Sequence, residues 1–309
     1  MSSGGVTGAI RDVASKLRQI DFAKVWRWIR KLPLLPLLLL APLLVFGILG
    51  PLIYPHDPHA VNFPIALQPP ALQAGGDWSY PLGTDQMGRD LLTRLMEGAR
   101  ASLLVGLFGV LLSNIMGMVI GLIAGYFGGK ADQVTMRLVD TWMAVPGIFF
   151  TLLFVAVMRE AGIRGLTPII IAIALTMWPM ATRMVRAEVL GLKHRDYVAL
   201  AKVTGSSNFR ILRKHIFPNV LNTLVVLTSV GLGGAIMMES GLSFLGVGVQ
   251  PPQTAWGTLI AGSITYMYSA WWIPTFAGLA ITMTILGANL FGDWLRDALD
   301  PRTRQSVLR

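Results

Sequence analysis

Long uncharged runs alternate with short charged segments along this chain. The uncharged runs that are long enough to cross a membrane are residues 32–54, 101–129, 141–158, 165–182, 217–238 and a part of 240–292. An α-helix rises about 1.5 Å per residue, so roughly 20 such residues cross a hydrocarbon core about 30 Å thick. The strict alternation over about ten residues that is typical of a transmembrane barrel is absent from the sequence. The pattern therefore predicts an all-α integral membrane protein with six transmembrane helices.

The uncharged stretch from 240 to 292 is too long for one helix, and the polar, Pro-rich segment 250–254 interrupts it. We expect the fifth helix to end near Gly246 and a neutral extracytoplasmic loop or re-entrant piece to follow. The sixth helix then runs from Trp272 to Gly292. Trp271 and Trp272 are expected at the level of the lipid headgroups, where aromatic rings are enriched.

Positive charge predicts the orientation. With six spans and both termini inside, the cytoplasmic pieces hold 21 of the 26 Lys and Arg residues, which is the asymmetry of a positive-inside topology. This accounts for the net charge of +10 without nucleic acid as a partner. Hydrophobic residues make up 53% of the chain and charged residues 14%, well below the quarter or so of soluble domains.

Two segments outside the spans carry amphipathic patterns. Residues 1–31 combine apolar and basic side chains, which predicts a cytoplasmic helix on the membrane surface, with docking to a partner as the alternative. In the extracytoplasmic loop 55–100, a helix is expected to begin at Thr84 or Asp85. Asp85 with Arg89, and Asp90 with Arg94, then form acid-to-base pairs at i, i+4 spacing.

Within the spans, small and ionisable residues raise separate questions. Gly117, Gly121 and Gly125 clear one helix face, which predicts close packing inside the chain, with a subunit interface as the alternative. Glu239 near the outer end of the fifth helix either faces a cavity or partner, or lies hydrated at the interface. His56 and His59 lack further ligands nearby, so they are expected to be polar loop residues rather than a metal site.

The cytoplasmic segment from Arg183 to His215 is strongly basic and contains small residues. Its pattern predicts two short helices with a break at Gly205, ending at Phe217-Pro218, where Pro suits the first turn of the fifth span. Such a segment either docks into a groove of another protein or is a plain connecting loop. The chain has no cysteine, no phosphate-binding loop motif and no catalytic constellation, so it is not expected to hydrolyse ATP itself.

Several passages together resemble the membrane subunits of bacterial ATP-binding-cassette importers, in particular the C-type subunit of the dipeptide, oligopeptide and nickel group. The resemblance covers residues 32–301. The matching passages are 81–85 with 88–92 and 98–103, 196–201 with Gly205 and 215–219, 239–246 with 250–252 and 256–257, and 292–301.

The resemblance implies the type I importer fold, similar to that of the methionine importer, with both termini cytoplasmic in the bacterial inner membrane. The core domain is then 101–295, the tail 296–309 and the ATPase-coupling loop 183–218. The implied coupling residues are Asp196, Tyr197, Ala199, Leu200, Ala201, Gly205, His215 and Pro218. The implied contacts with a binding protein or an extracytoplasmic gate are Asp85, Arg89, Asp90 and Glu239.

The implied partners are a second, homologous permease subunit, two ATPases that hold ATP and Mg²⁺, an extracytoplasmic solute-binding protein and membrane lipid. This chain itself is expected to hold no cofactor. The family pattern begins with Glu-Ala-Ala where this loop has Ala199-Leu200-Ala201, which puts the acidic contact with the ATPase in doubt. The implied cargo is a di- or oligopeptide. The alternatives are nickel chelates, oligosaccharides or antimicrobial peptides, or a stand-alone secondary transporter.

Overall fold

The computed structural model describes residues 33–54 and 56–299. The predicted surface segment 1–31 lies outside the described residues, as does most of the predicted tail 296–309. From Pro36 onward the described residues belong to one structural unit. In the described part of the chain the regular elements are helices, and the isolated bridge between Thr84 and Asp90 is the one β-type pairing. The all-α prediction is confirmed.

The helices have the following bounds. They are α1 Leu34–Ile53, α2 Leu91–Phe127, α3 Gly129–Met143, α4 Gly147–Glu160, α5 Thr167–Leu192, α6 Asp196–Val203, α7 Asn208–Ile211, α8 Phe217–Phe244, α9 Trp256–Ser263 and α10 Trp272–Leu299. A π-helical turn, Leu212–Ile216, joins α7 to α8, so that Asn208–Phe244 is one continuous helical stretch.

Four helices in the described residues are long and apolar enough to cross a membrane: α2, α5, Asn208–Phe244 and α10. The bent pair of α3 and α4 makes a fifth if the two cross together. In α1, the apolar part Leu34–Gly50 is shorter. The structure thus supports a multi-pass helical protein, whereas it does not confirm the predicted number of six spans.

The third predicted span is not one helix. α3 ends at Met143, α4 begins at Gly147, and the two meet at an angle of 88°. The cause is Pro146, which has no N–H to continue α3 and disfavours helical dihedral angles at Val145. Pro146 then stands at the N-cap of α4.

α3 is held against α5 by ion pairs, which explains why a helix so rich in polar residues is folded onto the bundle. Arg186 binds Asp132 with two hydrogen bonds, one of them 2.6 Å long, and Arg183 binds Asp140 at 2.5 Å. Two-point binding of a carboxylate by Arg also fixes the relative orientation of the two side chains.

The most extensive helix contact in the described residues is that between α2 and α5. A Cβ atom placed on Gly121 would stand 2.7 Å from the carbonyl oxygen of Thr182, and one on Gly125 would stand 2.8 Å from Val189. Gly117 lies in the same way against Ala181. At all three glycines the missing side chain lets α5 of the same chain approach α2 closely. The predicted packing inside the chain is therefore present.

Replacing Gly121 with Ala is expected to lower the unfolding temperature of the purified chain in detergent, because the new methyl group has no room beside the Thr182 carbonyl. Gly278→Ala in α10 is the matched control, since a Cβ there meets nothing within 4 Å. Ala is favoured over Gly in a helix by about 1 kcal/mol, so the control should be neutral or slightly stabilising. Equal unfolding temperatures for the two variants would contradict the packing described here.

Candidate functional site

α6 and α7, which lie in the segment predicted to be cytoplasmic, carry an exposed surface. One side of α6 is buried: Val198 and Ala201 pack with Ile211, Ile216 and neighbouring apolar residues. The opposite side is open. Leu200 is 64% exposed and Val203 85% exposed. The helix is therefore anchored by one face and presents apolar side chains on the other.

Gly205 ends α6 in the way the sequence predicts. Its φ of +79° is the left-handed conformation that Gly adopts freely, and the N–H of Ser206 donates to the Ala201 carbonyl at 3.0 Å. The two short helices with a break at Gly205 are therefore present. Apart from its two chain neighbours, no described residue has an atom within 4 Å of a Cβ built at Gly205, so the turn is open on that side.

The second short helix does not end where the sequence predicts. α7 continues through the π-helical turn into α8, so the helix that contains the predicted fifth span, 217–238, begins at Asn208 rather than at Phe217. Pro218 lacks an N–H and its ring crowds the preceding turn, which a widened turn accommodates. Arg210, Arg213 and Lys214 therefore lie on the same helical stretch as the apolar residues of α8.

Of the eight predicted coupling residues, Ala201 is buried, His215 is half-buried and the other six are exposed. Tyr197 is exposed, and its ring centre lies 6.1 Å from that of His215. The backbone carbonyl of His215 accepts a hydrogen bond from the Asn219 side chain at 2.7 Å. Asp196 and Ala199 are exposed. A cavity of about 620 Å³ adjoins this region, and its lining residues are Ser207, Phe209, Arg210, Arg213, Lys214 and Pro218. We call the exposed faces of α6 and α7 together with this cavity the coupling surface.

The charge of the coupling surface is positive. Lys202, Arg210, Arg213 and Lys214 are all exposed, and Asp196 is the acid nearest to them in sequence. Phe209 is 73% exposed among these cations. An apolar patch with a basic surround is typical of a protein contact rather than of a solvated loop.

At the other end of α2, Asp85 is the centre of a buried polar cluster. Its carboxylate accepts the N–H groups of Met87 at 2.8 Å and Arg89 at 3.0 Å, and it binds the guanidinium groups of Arg89 and Arg94. Arg94 also reaches the Thr254 hydroxyl at 3.4 Å. This cluster joins the loop before α2 to α2 itself and to the segment before α9.

The helix predicted to start at Thr84 or Asp85 instead begins at Leu91. Asp85 holds the backbone in a turn by accepting two N–H groups, and Gly88 has a φ of +69°, which does not fit an α-helix. Asp90 is the N-cap and accepts the Thr93 N–H at 3.0 Å. Burial raises the pKa of Asp90 above its usual range. The Asp85–Arg89 pair exists, but Arg94 pairs with Asp85 rather than with Asp90.

Glu239 is completely buried in α8, so it is not a hydrated carboxylate at the membrane interface. Ser102 of α2 donates to it at 2.9 Å and Ser243 at 2.7 Å. The Ser243 hydroxyl in turn accepts the Val249 N–H at 3.1 Å. Glu239 therefore links α2, α8 and the following loop. Like Asp85, it has no exposed surface for a direct contact with a binding protein.

Two tryptophans also tie the outer ends of the helices together. Trp256 donates to the Leu95 carbonyl at 2.9 Å, and Trp272 donates to the Thr84 carbonyl at 3.2 Å. Trp272 is buried, so its ring packs inside the protein rather than against lipid headgroups. Sequence reasoning missed these contacts because each partner lies more than 150 residues away in the chain.

Residues 117–305 match a family of proteins described as binding-protein-dependent transport system inner membrane components. Among similar curated proteins is the di/tripeptide transport system permease protein DppC of Pseudomonas aeruginosa, 39% identical over 87% of this chain and 88% of that protein. The dipeptide transport system permease protein DppC of Haemophilus influenzae is 40% identical over 84% and 87%. The Escherichia coli K12 protein of the latter name is 42% identical over 82% and 83%.

Replacing Asp85 with Asn should loosen the loop before α2, because Arg94 is left buried without its anion. Removing one partner of a buried ion pair costs about 3–5 kcal/mol. We expect faster amide hydrogen exchange across residues 62–90, measured by mass spectrometry. Asp77→Asn is the control, because the Asp77 carboxylate only needs to accept the nearby Ser79 N–H, which Asn can also do. Unchanged exchange in the Asp85 variant would contradict the central place of this cluster.

Proposed function

We propose that this chain, which belongs to the family of binding-protein-dependent transport system inner membrane components, is one of two membrane subunits of an ATP-driven importer of di- and oligopeptides. It is a multi-pass protein of the bacterial inner membrane. The observation that carries the proposal is the similarity, over most of the chain, to permease proteins named for di- and tripeptide transport.

Six spans with both termini in the cytoplasm form part of this proposal. α1 and the pair of α3 and α4 would be the two spans beyond the four long apolar helices. The distribution of Lys and Arg supports this orientation. It also puts the coupling surface in the cytoplasm and the Asp85 cluster outside the membrane on the opposite side.

The coupling surface would receive one of two ATPases. The open face of α6 offers Leu200 and Val203 as apolar contacts, while the buried face transmits movement into the packed helices. ATP binding would draw this surface toward that of a second, homologous subunit and open a pathway to the outside, and hydrolysis would reset it. Without a phosphate-binding motif of its own, the chain would depend on its partners for ATP and Mg²⁺.

The cargo would be delivered by an extracytoplasmic solute-binding protein. The printed names of the relatives favour peptides over nickel chelates, oligosaccharides and antimicrobial peptides. A stand-alone secondary transporter would need ionisable groups open to a pathway at membrane depth. Glu239, in contrast, has its carboxylate enclosed by serine hydroxyls.

Reconstitution tests the proposal. Proteoliposomes that hold this chain, a second membrane subunit and the ATPases should accumulate a labelled dipeptide when both the binding protein and ATP are supplied. Omission of either should abolish accumulation. Uptake that continues without ATP and follows an ion gradient would instead favour a secondary transporter.

Val203→Asp should uncouple ATP hydrolysis from uptake, because a carboxylate would replace an apolar contact on the open face of α6. At 85% exposure the substitution should change the stability of the chain by no more than about 0.5 kcal/mol. We expect at least a tenfold loss of peptide uptake in the same proteoliposomes. Leu72→Asp, at a loop residue 87% exposed, should retain uptake. Full uptake by the Val203 variant would sink the ATPase-docking assignment.

A further inference from the structure

A cavity of about 510 Å³ lies at the outer end of α2, apart from the coupling surface. Its rim is exposed and its floor, formed by Gly88 and Asp90, is buried. The residues that line it are His56, Asp57, Ala60, Val61, Asn62, Tyr80, Gly88 and Asp90. Polar side chains thus converge on a recess that the proposed importer cycle does not use.

The recess is built by close contact between two loop segments. The Asn62 N–H donates to the Met87 carbonyl at 3.0 Å, and a Cβ placed on Gly88 would collide with the Asn62 carbonyl. Asp57 is held in place because its carboxylate accepts the His59 N–H at 2.9 Å. The position of the two carboxylates around the recess is therefore fixed by backbone contacts.

The two carboxylate oxygens of Asp90 differ in their hydrogen bonding. Its Oδ2 accepts the Thr93 N–H, whereas Oδ1 is buried and makes no hydrogen bond of standard geometry in the described structure. The Leu92 N–H and the Thr93 hydroxyl lie near enough to stabilise the carboxylate in part. An unpaired buried carboxylate oxygen is energetically costly, and the cost is removed when a donor reaches it. Burial disfavours the charged form of Asp90 and raises its pKa, and a bound cation would offset that cost.

The charge of the recess favours a cation. Asp57 and Asp90 both line it, and none of its described lining residues is Lys or Arg. A smaller neighbouring cavity of about 210 Å³, which shares His56, holds Glu97 together with Arg100, so there the charges are balanced. The described residues contain no group of three His, Asp or Glu side chains that would hold a metal ion.

We propose that this recess binds a primary ammonium group between Asp90 and Asp57. An ammonium group carries three N–H donors and one positive charge, which suits a buried carboxylate oxygen in a recess that a second carboxylate also lines. Two sources would supply it: the amino terminus of a peptide cargo, or a lysine side chain of the binding protein. Both sources presuppose the proposed importer function. The ability of the recess to bind an ammonium group does not depend on it.

The first arm of the test uses the assembled transporter in lipid nanodiscs without the binding protein. The probe is a dipeptide with a photoreactive diazirine side chain and a free amino terminus, and mass spectrometry maps the labelled residues. We expect labelling within 56–62 and 80–90. It should fall at least about tenfold for the N-acetylated probe and for Asp90→Asn, since a hydrogen bond between charged groups contributes that much or more.

Asp90→Asn keeps the helix start intact because Asn is as good an N-cap as Asp. Asp77→Asn removes a charge from the same loop outside the recess and should label like the unaltered chain. The second arm replaces the dipeptide with the binding protein, native or with acetylated lysines, and measures its crosslinking to the nanodisc-bound transporter. Asp90-dependent crosslinking of the native form alone identifies a lysine as the source.

If neither amine acetylation nor Asp90→Asn changes the labelling and the crosslinking, the ammonium site is wrong. Absence of any labelling would also overturn it. Those are the results expected if ordered water alone fills the recess. ATP-driven dipeptide uptake is measured on the same preparation. If uptake is intact while the amine dependence is missing, the ammonium site fails and the importer function stands. If ATP-driven uptake is missing, the importer function fails.

Discussion

The close approach of α2 and α5 is the contact on which the other features depend. In a bilayer, apolar side chains gain little by leaving lipid for another helix, so association relies on tight fit and on satisfied polar groups. The glycine face of α2 provides that fit by admitting the α5 backbone beside Gly117, Gly121 and Gly125. Lys193 at the end of α5 strengthens the contact by donating to the Gly125 carbonyl at 3.0 Å.

The two ends of this helix pair differ in which groups are buried and which are exposed. At the outer end, Asp85, Arg94 and the N–H groups of Trp256 and Trp272 find partners within the chain, and the loop is tied down. At the opposite end, Leu200, Val203 and Phe209 remain open. Buried polar groups thus stabilise the end that is proposed to lie outside the membrane, whereas exposed apolar groups mark the end that is proposed to meet the ATPase. The buried face of α6 packs with side chains of α5 and α8, and the proposed coupling would act through this contact.

The sequence predicted those features that depend on local pattern. Uncharged runs located the long helices, and Gly205 marked the break after α6 because a left-handed turn needs Gly. The i, i+4 acid–base spacing was misleading around Asp85, where the carboxylate binds the backbone and holds a turn instead. The break at Pro146 followed from rules visible in the sequence but was hidden by the apolar run around it.

Contacts between distant residues could not be predicted. Arg94 reaches Thr254 across 160 residues, and Ser102 reaches Glu239 across 137. Nothing in the local pattern around Glu239 separates a buried, hydroxyl-bonded carboxylate from a hydrated one, because the difference lies in α2. The same holds for Trp272, which is buried by the extracytoplasmic loop rather than placed among lipid headgroups.

The most direct test of the account is the composition of the complex that forms around this chain. Tagged chain would be purified from gently solubilised membranes, and its partners quantified by mass spectrometry. We expect one homologous membrane subunit and two ATPases for each copy of this chain. Recovery of the chain alone, under conditions that keep a known membrane complex intact, would contradict it.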